Sequence, residues 1–359
     1  MKKWRKKLTS YLVVSSFLVA VVGCGAQETP QSSTQPAAQP VATESKSIQE
    51  RKFKLGVGLK EDHPEGLGAK KFKEIVEKNT GGKFQVDLFF NNQLGDDKQT
   101  ADNLRAGVQE LGVISTSPLA SIVKEFGIFD FPFVFNSEKE ADAVLDGPVG
   151  KALLDKLPAN GLIGLGYWEN GFRNLTNSKK PVATLEDFSG LKVRTMPNPV
   201  HLDVFKALGT NPTPMPFSEL FTAMESKTID GQENPLATIE SNAFNEVQSY
   251  LSLTKHVYTP FIFMASPKFW DQLSDDEKKI IQDAVIEAGK YERELNREQN
   301  KKSLENLKTK GMTVTEISNG EVAKIQSAVK PVIDKYSKEL GEELVKQMFE
   351  EVEKAKGQQ

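Results

Sequence analysis

From Ser274 to Lys330 the chain contains no proline, and this stretch limits the possible folds more than any other. It opens on Ser274-Asp275-Asp276-Glu277, the pattern of a capping box. Ile281, Ala284, Val285, Ala288, Tyr291 and Leu295 then recur at helical spacing as one apolar stripe, which thins toward Leu307 before Gly311 ends the run. A continuous helix over Asp275 to Lys310 would hold about 36 residues and measure about 54 Å. That is longer than one small lobe is wide, so the helix is expected to brace two lobes at once.

The rest of the body supplies two such lobes. Phe53, Leu55, Val57 and Leu59 alternate as in a strand over Lys52 to Lys60, and a helix is expected from Gly66 to Asn79, stopped by Gly81-Gly82. A strand over Phe84 to Phe90, a helix over Asp96 to Ala106 and a strand over Leu111 to Ile114 continue an alternating α/β pattern with a parallel sheet. A second α/β region runs from Gly161 to about Ser252, with strands at Leu162–Trp168 and Leu191–Arg194 and helices near Leu202–Leu208 and Ser218–Ser226.

The amino terminus is an address rather than part of this body. Five basic residues (Lys2, Lys3, Arg5, Lys6, Lys7) precede the apolar run Tyr11 to Val22, and Gly23-Cys24 follow, the order of a secretory signal. Twelve helical residues span only about 18 Å, short of a ~30 Å hydrocarbon core. Val21-Val22-Gly23-Cys24 resembles a bacterial lipobox, which implies that residues 1–23 are removed and Cys24 carries the lipid. Residues 24–49, rich in Gln, Ser, Thr, Pro and Ala, are expected to be a disordered tether reaching roughly 25–30 Å. The protein is therefore expected outside the cytoplasm, lipid-anchored to the outer face of the cytoplasmic membrane.

Composition excludes several functions. Without the five leader cations, 41 basic residues face 49 acidic ones, about −8, which argues against nucleic acid as a partner. The only cysteine is Cys24, so no internal disulfide and no thiol nucleophile remain. His63, His201 and His256 lack the i, i+4 spacing of a helical metal pair. There is no G-x-S-x-G elbow and no P-loop, and Gly56-Val57-Gly58 lacks the third glycine of a dinucleotide fingerprint. No enzyme activity and no cofactor or metal is expected. What remains is Arg173 and Arg194 on strand-like segments, where an arginine must meet an acid, face water or await a ligand. The polar run Asp230-Gly231-Gln232-Glu233-Asn234-Pro235 reads in isolation as a turn.

Gln93-Leu94-Gly95-Asp96-Asp97, Gly190 to Arg194, Asn211 to Glu219 and Asp230 to Leu236 occur in family order in the chain, which resembles the solute receptors of tripartite ATP-independent periplasmic (TRAP) transporters, most closely the DctP-type C4-dicarboxylate branch. Tyr258 to Phe263 with Phe269-Trp270 is similar to the same branch. The resemblance implies a two-lobed, periplasmic-binding-protein-like (type II-like) α/β fold with hinge strands and a long helix bracing both lobes. The expected division is 50–169 plus about 261–280 for the first lobe and 170–260 plus about 281–356 for the second. It implies that Arg194 takes the ligand carboxylate, with Arg173 near the same group, Asn234 as a polar contact, Phe217 as an apolar wall and Asp97 as a contact whose partner varies. In the sialic-acid receptors of the family an asparagine and a glutamate contact the sugar where this chain has Gly58 and about Ser117, which disfavours a sugar acid.

Lys60, His63, Thr116 and Ser117 lie on loops able to supply a second terminus, and Trp168 is either a cleft residue or core. The expected ligand is a small C4-dicarboxylate such as malate, succinate or fumarate, and the expected partners are a small and a large integral permease subunit driven by an ion gradient. Rival readings are the same scaffold with a keto acid, an aromatic acid or a hexuronate, a sensor subunit, and an exported hydrolase using paired carboxylates.

Overall fold

The computed structural model describes residues 48–357; the expected signal peptide, Cys24 and most of the expected tether lie outside them. The last tether positions are already docked. Ile48 packs on a core, and the Gln49 amide donates to Glu277 Oε1 at 2.9 Å.

Nine strands form one mixed sheet: β1 (Arg51–Val57), β2 (Phe84–Phe89), β3 (Leu111–Ser115), β4 (Ile163–Asn177), β5 (Lys192–Thr195), β6 (Asn211–Pro214), β7 (Gly231–Asn234), β8 (Tyr250–Ala265) and β9 (Thr313–Glu316). The order is β2-β1-β3-β8-β4-β7-β5-β6, with β9 beside β8. Pairing is parallel within β1–β2, β1–β3, β5–β6 and β5–β7, as alternating α/β segments require. The parallel pattern expected of the first α/β segments gives way in the middle, where β4 and β8 pair antiparallel from Ile163↔Ala265 to Asn177↔Tyr250. These two strands of 15 and 16 residues run through both halves, so each lobe is a sheet grown on one end of the same ribbon. The ribbon is bulged between Glu169 and Gly171, and Gly171 takes φ +109°, a conformation that favours glycine.

The long helix spans Asp275–Thr309, and its capping box is formed by Ser274 and Glu277. Ile281, Ala284, Val285 and Ala288 enter the core that holds Phe53, Phe72, Phe84 and Phe263, whereas Leu307 enters another core with Leu220, Met224, Phe244 and Leu251. The stripe does not continue through Tyr291, which is exposed; the buried face turns polar at Glu292, Asn296 and Ser303. The cause is the bulge beneath it. Glu292 Oε2 accepts from the Glu169 amide at 2.8 Å, and Asn296 Nδ2 donates to the Glu169 and Asn170 carbonyls at 3.0 Å each, satisfying backbone groups that the irregular ladder frees.

The cores join segments distant in the chain: Val345, Met348 and Val352 of the last helix (Glu342–Lys356) share a core with Val144, Leu145 and Val149. Trp168 belongs to the core. It is fully buried, donates from Nε1 to the Val285 carbonyl at 3.1 Å, and lies so close to Gly289 that a Cβ there would sit 2.7 Å from the indole.

Candidate ligand site

Parallel strands expose their last residues and the loops behind them at one edge, and there the two halves face each other. Gly58 and Leu59 follow β1, Ser115 ends β3, Arg194 lies near the end of β5 with Met196 just beyond, Asn234 ends β7 and Phe217 follows β6. These residues, with Asn92, Asp97, Asn170, Arg173, Thr238 and Phe261, line a cavity with about 400 Å³ free of protein atoms. A neighbouring groove shares Asp97, Arg194 and Phe217 and adds Lys98, Pro197 and Pro216.

The two arginines differ in kind. Arg173 Nε donates to Glu233 Oε2, and its Nη2 donates to Glu233 Oε1 at 2.8 Å and to the Glu233 carbonyl at 2.6 Å, so its fork is already occupied; Nη1 reaches Thr259 Oγ1 at 3.3 Å. Burial alone would raise the Glu233 pKa, but Arg173, His256 and His201 hold it well below the ordinary range. Arg194 has no carboxylate within ion-pair distance among the described residues. Its Nε and Nη2 both donate to the Met215 carbonyl, at 2.9 and 2.8 Å, which fixes the guanidinium by a neutral partner and leaves Nη1 uncommitted. Burial pushes its pKa down to about 10.

Asp97, partly buried across the cavity, is pushed up to about 7 by burial and then by Asp96, while Arg194, the Ser115 amide and Arg173 pull the other way. Asn170, on the bulge, is 5% exposed, and its Oδ1 has no hydrogen-bond partner among the described residues. The cavity thus offers one unmatched cation and two acceptors, Asp97 and Asn170, that want donors.

Arg194, Arg173, Asn234, Phe217 and Asp97 are therefore brought together, and the four weaker candidates are not. Lys60 Nζ donates to the Ser241 carbonyl at 2.8 Å. His63 is used up between the Glu65 amide and Thr238. Thr116 Oγ1 donates to the Pro260 carbonyl at 3.3 Å. Ser117 is buried, its Oγ has no hydrogen-bond partner among the described residues, and its carbonyl accepts from Asn198 Nδ2 at 2.9 Å. None of the four lines the cavity.

Sequence reasoning also missed Glu233 as the partner of Arg173, because Gly231-Gln232-Glu233-Asn234 is a buried central strand rather than a turn. His201 and His256, distant in sequence, meet at Glu233 with contacts of 3.9 and 3.2 Å. Asn92, Asn170, Ser115, Met196, Thr238 and Phe261 carried no motif; only their places at strand ends and beside them could have marked them.

The profile of the family described as "Bacterial extracellular solute-binding protein, family 7" (DctP) matches residues 55–339. The chain belongs to this family. Its members are solute receptors rather than enzymes, and this one is a TRAP receptor for small organic acids. The sugar acid binding protein DctPAm of Advenella mimigardefordensis strain DPN7T, solved with galactonate, is 49% identical, with a TM-score of 0.85 over 86% of this chain and 99% of that one. A TRAP periplasmic solute binding protein of Polaromonas sp JS666, bound to D-erythronate, is 41% identical, with a TM-score of 0.81 over 84% and 98% of the two chains. The C4-dicarboxylate-binding periplasmic protein DctP of Rhodobacter capsulatus is 33% identical over 79% of this chain and 86% of that protein. Among the described residues no helix is long and apolar enough to cross a membrane.

Proposed function

We propose that this receptor takes a hydroxylated monocarboxylate, an aldonate-like sugar acid, with the carboxylate on Arg194 and the hydroxyls on Asp97, Asn170 and Asn234. The observation that carries this reading is the charge count of the cavity. Arg173 is matched by Glu233, so Arg194 alone remains for an anion, and the lining also carries the Asp97 carboxyl and the unpartnered Asn170 Oδ1 as acceptors. A carboxylate on Arg194 gains charge-assisted bonds of roughly 1.5–3 kcal/mol each. The second carboxylate of a C4 diacid would find no cation and would approach Asp97, whereas a hydroxyl would donate there. A Cβ at Gly58 would come into ordinary contact with Asn92 and Asp97, so the glycine keeps that part of the wall clear of a side chain. This reading departs from the disfavour toward sugar acids expected from Gly58 and Ser117, because in it other side chains supply the polar wall. The relatives solved with galactonate and D-erythronate are also more similar to this chain than the C4-dicarboxylate relative.

In this reading Cys24 carries the lipid, and the receptor delivers its acid to the TRAP membrane subunits. The test is a thermal-shift panel on the body lacking residues 1–23. Galactonate or D-erythronate should raise the melting temperature, and succinate, malate and fumarate should do so less. Stabilisation by a C4 diacid with none by either sugar acid overturns the assignment.

A further inference from the structure

Lys60 and His63 reach across the cleft to the same short helix, Leu236–Ser241, which follows directly on β7. His63 Nδ1 accepts from the Glu65 amide at 3.1 Å, so in the neutral ring Nε2 carries the hydrogen and donates to Thr238 Oγ1 at 3.2 Å. Burial lowers the His63 pKa to about 3, which keeps the ring neutral. Lys60 Nζ donates to the Ser241 carbonyl, the last of the helix, a favourable place for a cation.

Both sides of this contact are stiff. On the first lobe, the Leu59 amide donates to Glu65 Oε2 at 3.0 Å, and Gly66 lies so close to the loop that a Cβ would sit 2.3 Å from the Lys60 carbonyl. On the second, Asn300 Oδ1 accepts from the Ala237 amide at 3.0 Å, and Glu240 accepts from Ser303 at 2.6 Å and from Asn306 at 2.8 Å, tying the short helix to the long one. Two hydrogen bonds thus join these stiff elements; Lys60 and His63 themselves lie outside the cavity lining, and Thr238 is part of it.

We infer that Lys60 and His63 form a latch that stabilises the closed receptor, and so set the affinity for every ligand without touching any. This rests on the receptor reading above. If only the closed form holds the acid, the apparent dissociation constant scales inversely with the closed fraction, so loosening the latch weakens all ligands alike.

The test is Lys60→Met, with Lys60→Arg as the variant that keeps a donor. Lys60→Met should weaken galactonate and D-erythronate by the same factor, roughly tenfold, through faster dissociation, and Lys60→Arg should restore most of it. In the protein as purified, amide hydrogen exchange over residues 236–243 should speed up in Lys60→Met. Unchanged affinity with unchanged exchange overturns the latch. So does a loss that differs between the two acids, which would make Lys60 a ligand contact. If neither acid binds the wild-type protein, the ligand assignment fails, and the exchange rate over 236–243 alone decides the latch.

Discussion

Arg194→Met separates a binding residue from a structural one, because the two roles predict opposite effects on the ligand-free protein. The Arg194 pKa falls from its ordinary value to about 10, and at 1.36 kcal/mol per pH unit this is about 3 kcal/mol. The sign follows from the protonated form being the charged one. A base whose folded pKa is depressed destabilises the folded state at every pH below that value, and the penalty fades only above about pH 10. Methionine fills much of the same volume and removes the penalty. Against this gain stands the Met215 carbonyl, which loses both of its Arg194 donors, at a cost of about 1–3 kcal/mol. The two effects nearly cancel, so the ligand-free melting temperature should stay within about 4 °C of wild type. Binding should change far more. Two lost charge-assisted bonds at roughly 1.5–3 kcal/mol each correspond to a fall of about 10²–10⁴-fold in affinity. Calorimetric melting of the ligand-free protein and titration calorimetry with galactonate measure the two quantities. A large drop in ligand-free melting temperature, or full retention of binding, refutes Arg194 as the waiting cation.

Arg173→Met should behave in the opposite way, leaving Glu233 buried without its cation at a cost of about 3–5 kcal/mol; calorimetric melting should show a clear loss without ligand, partly recovered in Arg173→Met/Glu233→Gln. The ratio of galactonate to succinate affinity should rise with pH above about 7, by up to about tenfold per pH unit, because deprotonated Asp97 accepts from a hydroxyl and repels a second carboxylate. Taking the ratio cancels the effect of the carboxylate that both ligands place on Arg194. Titrations at pH 6 and 8.5 check this, and Asp97→Asn should flatten the trend; a ratio already flat in the wild-type protein contradicts a role for Asp97 in reading hydroxyls.

The parts of the fold that were legible in the sequence are those that bury apolar side chains at a regular period. The capping box at Ser274 and the stripe Ile281–Ala288 mark the long helix because they pack on a conventional core. Past Ala288 the helix lies over a bulged strand crossing, where it must supply hydrogen bonds, so Glu292 and Asn296 occupy the buried face and the apolar signal fades. Strand β7 was illegible for a related reason. Gly231, Gln232, Glu233 and Asn234 are all buried, but they face Arg173, Thr176 and the cavity rather than aliphatic neighbours, and alternation of hydrophobicity cannot report a strand of that kind. Arg194 and Arg173 stood out together as cations on strands. Nothing local distinguished them, because the difference lies in Glu233, 60 residues from Arg173 in the chain and adjacent only through the β4–β7 pairing. Lys60 and Ser117 fell near the cleft by loop position, which fixes neither the direction of a side chain nor its partner.

The unmatched Arg194 and the contacts of Lys60 and His63 have opposing effects on closure. If closure is what buries the guanidinium of Arg194, it bears up to about 3 kcal/mol of cost, and the same movement makes two hydrogen bonds worth about 0.5–3 kcal/mol each. Without a guest these terms roughly offset, leaving neither form strongly preferred, the condition under which a ligand's differential contacts decide the population. A monoanion converts the dry, unpaired cation into a paired one and tips the balance toward closure. Release is also explained, since the closed state retains no large excess of stability once the anion leaves. Arg173 cannot serve in this way, because Glu233 compensates its charge whether or not a ligand is present. The division of labour between the two arginines therefore lets one of them hold the cavity's shape while the other makes closing conditional on an acid.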